Sequence, residues 1–483
     1  MGLRSGRRGA VVLGACLALA CAGSEAPAPP SPSPGSAPAR PRSGYPARVV
    51  LVSVTGFTPA AYRVAPGHEP LMATVSTLAG SGAAADAVTG VTPTTPYPSH
   101  ATLVTGELPS VHGIVADHLL GDRGVRAARL SHASLLKAPT LWDLATRSGL
   151  AVASLDWPTT VGAAVDWLLP DLTPTARGET WAGVLADATT PGLLERARGL
   201  GLADAAADRA GSARDSILAG LACELLASER PPGLTLIRLS QAAPEFLRAG
   251  PDAPAVSDAL QRVDREIGGL LTCLAQAGRV DSTAIGVVGD VGVLPVHTLI
   301  APNAVLAGAG LLSAEGPGVS EWSAVVRSNG GSAFLYARND AAAVRARREL
   351  TDAAARTRAF QIVSAEQMLE LGADPEAWFG LEAEPGFAFG DQAVRPLLQP
   401  AAQLGAAGYL PGRTAPDTGF VLWGQGVRPG VRIPTMRQTD IAPTIARLLR
   451  LDLGSVDGRP LVGALALPEA PERRPVAERH GGR

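Results

Sequence analysis

Lysine is all but missing from this chain. Lys137 is the only one, so arginine carries nearly all of the positive charge. With Ala, Gly and Pro abundant, that skew reads as a coding bias. The formal net charge of -2 gives no reason to expect nucleic acid as a partner. Companionship among histidines is also lacking: His68, His118, His132 and His480 have no partners at metal-ligand spacing. No apolar run is long enough to span a bilayer. The longest candidate, Gly9 to Ala20, falls short of the roughly 20 residues a spanning helix needs.

What is present suits a large α/β protein. A chain of 483 residues at 46% hydrophobic can bury a sizeable core, as one domain or two. Short apolar runs alternate with helical patterns, which predicts a mainly parallel sheet with crossover helices. Strands are expected at Arg48 to Val54, Ala151 to Leu155, Leu234 to Leu239, Ala284 to Val288 and Gly419 to Leu422. Helices are expected at Thr102 to Val104 and beyond, Leu141 to Arg147, Asp215 to Ala227, Ala255 to Gln276 and Asp440 to Leu449. Asp440 would cap the last of these. From about residue 296 to 400 the alternation breaks, and a smaller inserted subdomain is expected within a domain of residues 47–465.

Arg4, Arg7 and Arg8 followed by the apolar stretch read as a secretory signal over residues 1–21. Ala18-Leu19-Ala20-Cys21 resembles a lipoprotein cleavage box, although Ala18 stands where leucine is usual. Lipidation of Cys21 would tie the chain to the periplasmic face of a bacterial envelope. The alternative is ordinary cleavage after Ala20 and release to the periplasm. Residues 22–46, rich in Pro, Ala and Ser, read as a tether, and residues 466–483 as a disordered tail. Cys223 and Cys273 lie in separate helix-like segments. Buried free thiols are the default there, and a disulfide is the alternative.

One run is very specific: Thr92-Pro93-Thr94-Thr95-Pro96-Tyr97-Pro98-Ser99-His100, then Leu103-Val104-Thr105-Gly106 and His112-Gly113-Ile114. It resembles the nucleophile segment of the type I phosphodiesterase/nucleotide pyrophosphatase family, in the alkaline phosphatase superfamily. Further landmarks follow in the family's order: Val50 to Phe57, Trp157-Pro158, Gly289-Asp290-Val291-Gly292, Gly408 to Pro411, Thr439 to Thr444 and Asp457 to Leu461. The resemblance spans roughly Arg48 to Leu461. It implies an alkaline phosphatase-like α/β/α sandwich whose site lies at the carboxyl ends of the strands. It also implies a threonine nucleophile and two metal ions, typically zinc.

At the matching positions this chain departs from that chemistry. The nucleophile is Pro96, which has no side-chain oxygen. The positions of metal-binding carboxylates and histidines carry Thr55, Ser240, Pro244, Val291 and Ala407; Asp290 alone keeps the family's residue. One carboxylate cannot balance four positive charges in a partly dry site, so neither metals nor any other cofactor is expected. Asp290 is expected to bond nearby backbone, His100 and His112 to be structural, and Glu245 to be an exposed charge. Trp157 and Tyr409 are expected in the core, although Tyr409 with Thr55, Thr95 and Asp290 could line a residual pocket.

The expected function is therefore an inactive family member acting as an envelope binding or scaffold protein. Its partner is an unidentified ligand or protein segment. Two alternatives stay open: an active phosphoester hydrolase with a non-standard site that recruits Asp290, Glu245 or Thr95, and a non-catalytic subunit beside an active paralogue.

Overall fold

A computed structural model describes residues 44–63, 69–121, 128–174, 179–202, 212–315, 318–394 and 396–467. The signal segment with Cys21, most of the tether, His68 and the tail from residue 468 lie outside the described residues. The body is built on an eight-stranded sheet. Its order is Val431–Ile433, Ala83–Ala85, Phe420–Gly424, Thr283–Gly289, Arg48–Val54, Leu234–Leu239, Val152–Leu155 and Trp167–Leu169. Only Phe420–Gly424 runs against the rest. The central strands, such as Arg48-Val-Val-Leu-Val-Ser-Val54, are apolar nearly throughout because helices cover both faces.

One face carries the helices Ala73–Ser81, Ser212–Ala227 and Pro254–Gln276. In the last of these, Val256, Ala259, Leu260, Val263, Ile267, Leu270 and Leu274 recur every three or four residues and are buried on the sheet side. The other face carries Pro96–Thr105, Leu141–Arg147 and Ile441–Leu449. A second core, from Val296 to Leu410, fills a smaller lobe around the four-stranded antiparallel sheet Ala324–Ser328, Ser332–Ala337, Phe379–Ala383 and Phe360–Val363. At the amino ends of the strands Gly44 N–H donates to the Ala466 carbonyl at 3.2 Å.

Several local expectations change. The helix placed at Thr102 begins earlier, at Pro96, and stops at Thr105, because Gly106 adopts φ 75° and closes it. Asp440 holds the N-cap position of the helix Ile441–Leu449 as expected, but its carboxylate accepts the Arg437 and Arg459 N–H groups, each at 2.9 Å, and not a helix donor. Cys223 and Cys273 are not free thiols but a disulfide joining the helices Ser212–Ala227 and Pro254–Gln276. No helix among the described residues is long and apolar enough to cross a membrane.

Candidate functional site at the strand ends

The carboxyl ends of the parallel strands place polar residues side by side. Val54 lies level with Leu239 on one side and Gly289 on the other, so Thr55, Ser240 and Asp290 follow at neighbouring strand ends. The Asp290 carboxylate is fully buried and accepts three bonds: from the Thr55 hydroxyl at 3.1 Å, Gly56 N–H at 3.3 Å and Val291 N–H at 2.7 Å. Gln438 Nε2 holds the backbone of the same turn, donating to the Gly289 and Asp290 carbonyls. Gly56 turns at φ 75°, and a Cβ there would meet the Phe246 ring at 2.2 Å. That close approach is why only glycine fits beneath Phe246.

Pro96 is the first residue of the helix Pro96–Thr105, with Thr95 as an N-cap whose hydroxyl is buried and bonds nothing. Ala407 precedes Gly408, where a Cβ would lie 1.7 Å from the Asn329 carbonyl and 3.3 Å from Thr95 Cγ2. The 407–409 loop thus packs directly on the start of that helix, and Thr94 Oγ1 bonds the Tyr409 carbonyl at 3.2 Å. Pro244 is exposed on the short helix Ala243–Ala249. Tyr409 is fully buried, its hydroxyl donating to the Phe387 carbonyl at 2.7 Å, so it belongs to the smaller lobe's core. Two cavities stand out elsewhere among the described residues. One of about 230 Å³ lies beside Trp142, and one of about 500 Å³ beside Tyr62, Asp86 and Arg432.

The histidines of this region are structural. His100 Nδ1 donates to the Pro96 carbonyl at 2.7 Å, and its ring meets Trp157 edge-on at 4.8 Å. Burial lowers its pKa to about 4. His112 accepts the Ile114 N–H at Nδ1, which leaves Nε2–H to donate to Thr102 Oγ1 at 3.0 Å. Burial lowers its pKa to about 3. Glu245 pairs with Arg248 on the surface.

Sequence reasoning missed the charges beside this site. Arg238, within the strand Leu234–Leu239, bonds Asp171 at 3.1 Å and lies 4.0 Å from Asp156. Arg214 bonds Asp156 and lies 3.5 Å from Asp171. The Tyr97 hydroxyl donates to Asp171 at 3.1 Å. Burial alone would lower the pKa of Arg238, but Asp171, Asp156 and Asp290 outweigh it and raise it. Burial raises the pKa of Asp156 to about 7, whereas Arg238, Arg214 and Arg129 overcome burial at Asp171 and lower it. Asp171 is paired with three arginines and Asp156 with two, so Asp156 is the member that takes a proton first. Arg238 was itself a signal: a charge in an otherwise apolar, doubly covered strand requires a buried partner.

These donors do not fit a pair of dications. Asp290 already accepts three hydrogen bonds, Thr55 and Ser240 offer only hydroxyls, and the side chains of Pro96, Pro244, Val291 and Ala407 offer nothing. Among the described residues, no three His, Cys, Asp or Glu side chains are grouped to hold a metal ion. The positive charge near Asp290 comes from Arg238.

The sequence model of type I phosphodiesterase/nucleotide pyrophosphatase matches residues 49–377, which is most of the chain. The chain belongs to that family. Its fold is similar to human ectonucleotide pyrophosphatase/phosphodiesterase 5, with a TM-score of 0.63 at 18% identity over 86% of this chain and 99% of the other. It is similarly close to the murine protein solved as an inactive variant in complex with AMP, with a TM-score of 0.61, 19% identity and the same coverage. At that identity the likeness shows the fold: a large, mainly parallel sheet between helical layers. No curated protein matches the sequence.

Proposed function

We propose that this family member binds rather than hydrolyses, and that it does so from a bacterial envelope to which Cys21 is lipid-anchored. The observation that carries this reading is the state of Asp290: the one metal-type ligand at the strand ends bonds Thr55, Gly56 and Val291 instead. Around it the positions that would supply a nucleophile and further ligands are Pro96, Pro244, Val291 and Ala407. Without an activated nucleophile or a metal-bound water, the two usual routes to phosphoester cleavage have no agent. The Cys223–Cys273 disulfide supports an oxidising compartment, as export to the periplasm would provide.

The surface at the strand ends, edged by Pro96, Pro244 and Ala407, suits an uncharged ligand or a protein segment. The test is metal content and phosphodiester turnover of the purified protein after dialysis against zinc. Less than about a tenth of an equivalent of metal, with no turnover, is expected. One or two tightly held ions together with turnover abolished by Asp290→Ala would overturn the proposal in favour of a hydrolase.

A further inference from the structure

The start of the helix Pro96–Thr105 has no free backbone donor. A helix amino terminus ordinarily offers unpaired N–H groups and a partial positive charge, both suited to an anion. Here Pro96 and Pro98 have no N–H at all. The Ser99 N–H bonds the Thr95 carbonyl at 3.1 Å. The remaining donor, Tyr97 N–H, is taken by the Asp117 carboxylate at 3.0 Å. Asp117 reaches this point because the chain turns back after the short helix Pro109–His112, where Gly113 adopts φ 81°. Leu130 N–H then fixes the Asp117 carbonyl at 3.1 Å.

A second observation marks this end as a place built to hold a polar group. Thr95, the N-cap, is 6% exposed, and its hydroxyl has no partner. It neither caps the helix nor bonds a neighbour. A buried hydroxyl in that state is unfavourable unless something completes it.

We propose that Asp117 is a built-in anion: its carboxylate takes the place of a phosphoryl group at the head of the helix Pro96–Thr105. The strand-end site therefore rejects phosphoesters and accepts uncharged or cationic groups, which Thr95 can hydrogen-bond. This rests on the binding role proposed above and specifies its ligand class. An incoming phosphate would meet the Asp117 charge at the head of the helix and find no backbone donor there, while Arg129, the cation that Asp117 attracts, is shared with Asp171 at 3.9 Å.

Calorimetric titration of the full chain with inorganic phosphate tests this. Wild type should give no binding up to about 10 mM. Asp117→Asn removes the charge, and Asp117→Ala also frees Tyr97 N–H; each should bind phosphate at least about tenfold more tightly than wild type. Far-UV circular dichroism identifies which variants fold, and one folded variant is enough. Asp457→Asn removes a carboxylate that bonds Leu108 N–H beyond the other end of the same helix, and should leave phosphate binding absent. Phosphate binding by wild type, no gain in a folded Asp117 variant, or an equal gain in Asp457→Asn would each overturn the proposal. These outcomes are separate from phosphodiester turnover by wild type, which is the failure of the non-catalytic reading.

Discussion

The Thr55 hydroxyl donates to Asp290 from the neighbouring strand end, across 235 residues of sequence. Together with the Gly56 and Val291 N–H groups, it gives the carboxylate three donors inside the protein. Asp290 therefore acts as a brace between the two central strand ends.

Replacing it removes that brace. Asp290→Ala leaves two N–H groups and a hydroxyl buried without an acceptor, which should cost about 3 kcal/mol of stability. Asp290→Asn keeps one acceptor and should cost less. Urea unfolding measures both; a loss of catalysis with stability unchanged would mark Asp290 as a metal ligand instead.

Arg238 holds a comparable place among charges. Arg238→Met leaves Asp171 and Asp156 without one of their buried cations and should destabilise the fold by about 3–5 kcal/mol. Zinc added during thermal unfolding should not restore the loss. Recovery of the wild-type melting temperature with zinc would show that these carboxylates can hold a metal.

The disulfide closes a long loop, Cys223 and Cys273 being 50 residues apart. Replacing both with serine should lower stability by about 3–4 kcal/mol, chiefly by freeing the unfolded chain. Comparing the double variant with the oxidised wild type in guanidinium checks this. Reducing agent should destabilise only the wild type.

His112 supplies a pH dependence of known sign. Its folded pKa is about 3, below the ordinary 6.5, so the unfolded chain binds the extra proton as pH falls. The stability tied to neutral His112 is thus present above about 6.5 and is lost progressively toward 3. Asp215 acts oppositely, because burial raises its folded pKa to about 6. A difference between variants isolates the histidine. On going from pH 7 to pH 5, His112→Gln should gain about 2 kcal/mol relative to wild type. Parallel stability curves would show that His112 is already protonated in the fold.

The long central strands could be read from sequence because burial on both faces makes them apolar at most positions, as in Arg48–Val54 and Leu234–Leu239. Ala83–Ala85 and Trp167–Leu169 could not, since three residues carry no period and depend on their neighbours in the sheet. At the site, residue types were legible and partners were not. Pro96 and Val291 visibly lack donor groups, whereas Arg238 finds Asp171 from 67 residues away and Tyr97 meets Asp117 only because the chain folds back. Cysteine pairing likewise depends on how two helices are packed.

The bond between Gly44 and Ala466 brings the first described stretch of the chain beside the last. Both residues lie at the amino-terminal pole of the sheet, opposite Asp290 and Asp117. A reporter joined directly to Leu467 would start from the pole opposite the strand-end face.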